Sequence, residues 1–209
     1  MARKGVILAA GLGTRLHPMT LAVNKQLIPV YDKPMIYYAI WVLIKAGVRD
    51  IMLVTSEVDK NSFERLLGDG SRFGIHMHYT VQYVPNGLVD AFVQTEDFIA
   101  GDPCVLILGD NIFYGSGFPA MLSKASAQTD GATVFGANVP DPERFGVASF
   151  NEEGKVLTLE EKPAHPQSNC AVVGLYFFDG KVMQYAHELR RQIPAEKEVS
   201  IGHHAPQAR

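Results

Sequence analysis

Val6-Ile7-Leu8-Ala9-Ala10-Gly11-Leu12-Gly13-Thr14-Arg15-Leu16 opens as a short unbroken apolar run and closes as a glycine loop bearing a hydroxyl and a cation. Four apolar residues at 6–9, bounded by glycines, fit a strand buried on both faces of a parallel sheet. Glycines directly after such a strand let backbone N–H groups approach phosphate oxygens, and a following helix or turn N-terminus adds a favourable dipole. The loop lacks the Gly-Lys-Ser/Thr ending of a P-loop. Leu16 also stands where the dinucleotide fingerprint G-x-G-x-x-G needs its third glycine. On these residues alone an ordinary tight turn and a phosphate cradle both remain open.

Outward from this stretch the chain alternates. Residues 34–46 carry Met35, Ile36, Ala39, Ile40, Leu43 and Ile44 at helical spacing and end at Gly47. Residues 50–55 repeat the buried-strand signal. Residues 59–67 put Phe63, Leu66 and Leu67 on one helical face before Gly68. A strand over 76–82, a helix over 87–100 and a strand over 103–108 follow, the last ending at Gly109-Asp110-Asn111. This rhythm predicts an α/β fold, a Rossmann-like, mainly parallel sheet flanked by helices, with right-handed crossovers and ligands at the carboxyl ends of the strands. Beyond Gly131, strands are expected over 132–139, 146–150, 155–160 and 171–178, with turns at Asp141-Pro142, Glu153-Gly154 and 163–169. This part should extend the same sheet and close one side of the site.

With 209 residues, 47% of them hydrophobic, the chain can bury a large core. Residues 1–197 read as a single domain and 198–209 as a loose, divergent tail. A net charge of -3 gives no global attraction to nucleic acid or to an anionic membrane. Cys104 and Cys170 are too few for a disulfide framework or a four-ligand zinc site and read as reduced, packed thiols. The apolar start at 5–10 is too short for a signal segment or a membrane span, so the protein is expected in the cytoplasm. Trp41, Tyr37, Tyr38 and the methionines read as core. His76 and His78 share a strand face without further ligands, and His203-His204 reads as a solvated dipeptide.

Arg15 and Lys25 bias the glycine loop toward phosphate. Lys25, in Asn24-Lys25-Gln26-Leu27-Ile28-Pro29-Val30, lies between that loop and the first helix and can return a second cation to the same strand end, although a solvated surface lysine is the plain alternative. Asp110, closing the strongest strand, either caps a turn or holds Mg²⁺, which binds through one or two carboxylates, substrate phosphates and water. Glu160-Glu161-Lys162-Pro163 taken alone is a solvated charged turn.

Seven motifs then occur in order. They are L-A-A-G-L-G-T-R-L at 8–16, N-K-Q-L-I-P-V-Y-D-K-P-M-I-Y-Y at 24–38, L-L-G-D-G at 66–70, L-G-D-N-I-F-Y-G at 108–115, D-P-E-R-F-G-V at 141–147, L-E-E-K-P at 159–163 and G-L-Y-F-F-D at 174–179. Together they resemble the bacterial glucose-1-phosphate thymidylyltransferases, from Gly5 to about His187. The resemblance implies the nucleotide-diphospho-sugar transferase fold and dTTP and glucose 1-phosphate as substrates. It also implies Mg²⁺ as cofactor, in-line attack of the sugar phosphate on the α-phosphorus, a homo-oligomer and a place in dTDP-sugar and polysaccharide biosynthesis.

Residue by residue, it assigns Gly11, Gly13, Thr14 and Arg15 to the nucleotide phosphates, Arg15 to the leaving pyrophosphate and Lys25 to the α-phosphate. Gln26 falls beside the nucleotide, and Gln82 and Gly87 at the base. Asp110 would hold the metal, and Gly146, Glu161, Lys162 and Val172 the sugar phosphate. The mechanism needs no protein nucleophile; positioning and electrostatics carry it.

Two departures stand out. The family's Q-P-S-P-x-G-L-A-Q-A is here Gln82-Tyr83-Val84-Pro85-Asn86-Gly87-Leu88-Val89-Asp90-Ala91. Family members are also longer, so the C-terminal part reads as truncated: Glu196–Ile201 only faintly follows the family's G-E-x-E-I-T. The missing part would supply a second metal-binding Asp, part of the sugar site and helices for oligomer contacts. Two further readings therefore stay open, a weak or inactive nucleotide or nucleotide-sugar binding protein, and a related transferase using another base or sugar.

Overall fold

The structure is a computed structural model that describes residues 2–83 and 87–192. Along the chain run β1 (Lys4–Ala9), a two-strand hairpin of β2 (Pro29–Val30) and β3 (Lys33–Pro34), helix α1 (Ile36–Lys45), β4 (Asp50–Thr55), α2 (Glu57–Leu67) and β5 (His76–Val81). Then follow α3 (Gly87–Gln94), the short α4 (Glu96–Ile99), β6 (Cys104–Leu108) and α5 (Phe118–Ala127). Strands β7 (Ala132–Asn138), β8 (Gly146–Phe150), β9 (Val156–Glu161) and β10 (Cys170–Phe178) lead to α6 (Val182–Gln192).

Eight strands form one sheet in the order β5-β4-β1-β6-β10-β8-β9, with β7 also paired to β10. β1 lies parallel to β4 and β6, and β4 parallel to β5. β10 is antiparallel to β6, β7 and β8, and β9 antiparallel to β8. Most strands thus point one way, opposed by β9 and β10. The sheet is mainly parallel, as the alternating pattern predicts, and the segment after Gly131 does extend it. The short β8–β9 connection forces that pair into an antiparallel hairpin, because a parallel return needs a long crossover.

Strand alternation sorts the core into two layers. Ile7, Ile51, Leu53, Val105, Ile107, Leu175 and Phe177 face α1, α2 and α5, meeting Ile36, Ile40, Leu43, Phe63 and Leu122. Val6, Val54, Cys104, Leu106 and Tyr176 face the other way, onto α3, α4 and α6 through Val89, Phe92, Ile99, Val182 and Met183. With helices on both faces, the central strands must be apolar throughout, which explains the unbroken runs at 6–9 and 104–108. Buried Arg3 ties the layers together at the other edge of the sheet: Nη1 donates to Phe178 O at 2.7 Å, Nε to Ser126 O at 3.1 Å and Nη2 to Gln128 O.

Several elements differ from the sequence reading. The expected helix over 87–100 breaks at Thr95, whose hydroxyl donates back to Ala91 O at 3.0 Å and Phe92 O at 3.1 Å and so competes with the helical ladder. Helices α5 and α6 and the β2–β3 hairpin are additional. Trp41 is not core: it is 41% exposed on the outer face of α1, with Lys45 Nζ 5.8 Å from its ring centre. His76 and His78 are exposed on β5, and no cluster of three metal-ligating side chains occurs among the described residues. No helix among them is long and apolar enough to cross a membrane. The tail at 198–209, with His203-His204, lies outside the described residues, as do Val84, Pro85 and Asn86.

Candidate active site

The parallel strands end in register, Ala9 beside Thr55 and Thr55 beside Val81, so the loops after β1, β4 and β5 leave from one edge of the sheet. The loop after β6 joins them, since Gly109 N donates to Leu8 O at 2.9 Å. After β1 the chain makes one 3₁₀ turn, Thr14–Leu16, entered through Gly13 at φ 62 and ψ 30. Glycine is required at 13: the backbone is left-handed, and an added Cβ would lie 3.0 Å from Thr20 Cγ2 and 3.3 Å from Lys25 Cβ. Thr20 Oγ1 donates to Gly13 O at 2.8 Å and fixes the turn. The N–H groups of Thr14 and Arg15 donate to no backbone acceptor among the described residues, leaving the start of the turn able to meet an anion. Arg15 is exposed. Gly11 is exposed too, with open space around it.

Lys25 sits on a further 3₁₀ turn, Lys25–Leu27, capped by the side chain of Asn24. Its Nζ donates to Asp110 Oδ2, and Asn111 Nδ2 donates to Asp110 Oδ1 at 3.0 Å. Gly13, Thr14, Arg15, Leu16, Lys25, Met35 and Asp110 line one cleft of about 440 Å³. Two cations, free backbone donors and a carboxylate therefore meet in one place. Gln26 is buried behind them, its Oε1 without a hydrogen-bond partner among the described residues. Gly11 is not part of that lining.

The remaining expected residues form two further groups. Gln82, buried at the end of β5, donates from Nε2 to Asp90 Oδ2 at 3.5 Å. Gln94 Nε2 donates to the same oxygen at 2.8 Å, and Arg190 Nη1 lies 3.4 Å from Asp90 Oδ1. Gly87 begins α3 beside this group. On the other side, Gly146 pairs with Glu161 across β8 and β9, and a Cβ on Gly146 would lie 3.1 Å from Glu161 Oε2 and 4.0 Å from Val172 Cβ. Lys162 adopts φ 45, donates its N–H to Phe145 O at 2.9 Å and holds Nζ 3.6 Å from Glu161 Oε1. Gly146, Glu161, Lys162 and Val172 are thus assembled, outside the lining of the first cleft. Asn111 links the two, because its Oδ1 accepts from Gly174 N at 3.2 Å at the irregularity in β10.

Asp110 has the room that a metal ligand needs. Its side chain is 29% exposed into the cleft, and a carboxylate offers about four lone-pair directions, so the bonds from Lys25 and Asn111 leave room for a hard cation. One carboxylate beside two cations and free backbone N–H groups fits Mg²⁺ held jointly with a bound anion, since Mg²⁺ rarely uses an all-protein cage.

The nucleotidyl transferase family profile matches residues 4–208. The chain belongs to the nucleotidyl transferase family of enzymes. Among its relatives is the glucose-1-phosphate thymidylyltransferase of Neisseria meningitidis serogroup A, 54% identical over 197 residues that cover 94% of this chain and 68% of that one. A Bacillus anthracis protein assigned as a glucose-1-phosphate thymidylyltransferase, crystallised with sucrose, superposes with a TM-score of 0.86 at 40% identity, covering 96% of this chain and 80% of that chain. UDP-glucose pyrophosphorylase in complex with UDP-glucose gives a TM-score of 0.74 at 27% identity, covering 90% and 80%. Met35 and Leu16, which line the cleft, and Asn24 and Asn111, which bond to residues of it or beside it, lie within the quoted motifs but carry no site role in the sequence reading. Asn24 was legible as a cap-type residue just before Lys25.

Proposed function

We propose that this transferase condenses dTTP with α-D-glucose 1-phosphate to give dTDP-glucose and pyrophosphate. The meeting of the 13–16 turn, Lys25 and Asp110 in one cleft at the carboxyl edge of the sheet carries this reading. The names and identities of the relatives support the substrates.

In this reading the N–H groups of Thr14 and Arg15 and the Arg15 guanidinium hold the β- and γ-phosphates. Gly11 lends flexibility to the approach. Lys25 offsets charge at the α-phosphate, and Gln26, buried behind the cleft with its Oε1 unpaired among the described residues, lies beside the nucleotide. Gln82 and Gly87 take the base; Glu161 accepts from sugar hydroxyls; Lys162, with the backbone of Gly146 and the side chain of Val172, orients the sugar phosphate. A sugar-phosphate oxygen forms the new bond to the α-phosphorus while the bond to the α–β bridging oxygen breaks, and pyrophosphate leaves with that electron pair. Asp110 would hold Mg²⁺, which when bound neutralises phosphate charge. The protein's part is to bring two polyanions together in line.

The direct test is pyrophosphate release on mixing protein, dTTP, glucose 1-phosphate and Mg²⁺. Release that needs all three supports the reading; folded protein that binds dTTP and releases none supports binding without turnover. A second reading, a related base in place of thymine, is favoured by Asp90 beside Gln82. Comparing the four nucleoside triphosphates decides it.

A further inference from the structure

Asn24 is 7% exposed and does not line the cleft, yet its amide is fully employed. Oδ1 accepts from Gln26 N at 2.9 Å, capping the turn that carries Lys25. Nδ2 donates to Ala9 O at 3.1 Å, the last residue of β1, and to Asp59 Oδ2 at 2.8 Å, in the first turn of α2. Asp59 Oδ2 also accepts from Ser56 Oγ at 2.6 Å, and Asp59 N donates back to that hydroxyl at 3.2 Å. One buried amide therefore joins the end of β1, the start of α2 and the Lys25 turn. A Ser or Thr could cap Gln26 N–H equally well, but only an amide adds two donors in the same plane. The donors are what anchor the turn to the sheet and to α2.

The geometry points to Asn24 and Asp59 as positioning residues for Lys25: they fix the backbone from which its ammonium reaches Asp110 and, on the function proposed above, the α-phosphate. The residue after Asn24 faces the cleft and the residue beyond it is buried, so a loosened cap would let the whole turn rotate. Small displacements of a charge at a reacting centre suffice to slow it.

A double-mutant cycle tests this. Asn24→Ser keeps the cap acceptor and removes both donors; it should lower kcat for pyrophosphate release roughly 10- to 100-fold while KM for dTTP changes by less than about threefold. In a Lys25→Ala background the same substitution should cost under about twofold, because the group it positions is already gone. Asp59→Asn, close in shape, should give a smaller loss with the same dependence on Lys25, and it serves if Asn24→Ser folds poorly. Losses that multiply undiminished in the Lys25→Ala background would overturn the inference, as would equal weakening of both substrates alongside a lowered melting temperature. Wild-type protein that neither binds nor turns over dTTP would remove the proposed function and this role with it; active wild type with an additive cycle would remove the role alone.

Discussion

Lys25 and Asp110 lie 85 residues apart in sequence and share a hydrogen bond in the cleft, each still partly open to solvent. An ion pair this exposed adds little to stability, and on the proposed function it acts instead on a bound polyanion. Lys25→Ala and Asp110→Asn should each lower kcat by roughly 100- to 1,000-fold, with little change in melting temperature; steady-state kinetics and a thermal melt check both halves. Where the base is proposed to bind, the Asp90 carboxylate can only accept, so it takes the NH₂ of Gln82 and leaves Oε1 to face a donor. Thymine and uracil offer N3–H as a donor there and cytosine does not. Asp90→Asn frees the amide to turn, and the preference for dTTP over dCTP should narrow by about tenfold, measured as the ratio of dissociation constants. An unchanged ratio would mean that Gln82 does not read the base.

Arg3 shows how elements are held to one another. From the position just before β1 it reaches the ends of α5 and β10 through three carbonyl oxygens, and burial pulls its pKa down. Arg3→Ala should lower stability by about 2–4 kcal/mol, since buried carbonyls lose charged partners; chemical denaturation measures it. Elements with continuous apolar runs or complete helical stripes were legible in the sequence: β1, β4, β6, α1 and α2 all fall where hydrophobic periodicity puts them. Helix α5 was not, because its buried face is Phe118, Leu122 and Ala125 among alanines and serines, a stripe too thin to separate from loop. Helix α6 has the spacing, with Val182, Met183 and Ala186 buried, and Asp179 Oδ1 accepting from Lys181 N at its start, but charged residues crowd the rest. Residue types and motif order single out the individual candidate residues in the sequence. Their grouping was not, since only the sheet register brings Gly13, Lys25 and Asp110 together while seating Gly146, Glu161 and Val172 in a separate cluster.

Over the whole molecule, the two core layers carry a pH limit. Burial pushes the Cys104 thiol up to about 12, and the Tyr79 and Tyr176 hydroxyls likewise up to about 12. Each is neutral in the fold at a pH where the unfolded chain would ionise it, so the folded state binds more protons. Their contribution is whole below the ordinary values of 9.0 and 10.0 and is lost as pH rises toward about 12. Denaturation midpoints should therefore hold steady near neutrality and fall above about pH 9. The same sheet presents the cleft at one edge, and on the proposed function this cleft holds a nucleoside triphosphate. The most direct measurement is a crystal structure with a non-hydrolysable dTTP analogue and Mg²⁺. The triphosphate is expected against the N–H groups of Thr14 and Arg15 and within hydrogen-bond reach of Lys25 Nζ; density for it elsewhere on the protein, with that turn empty, would rule out this cleft as the triphosphate site.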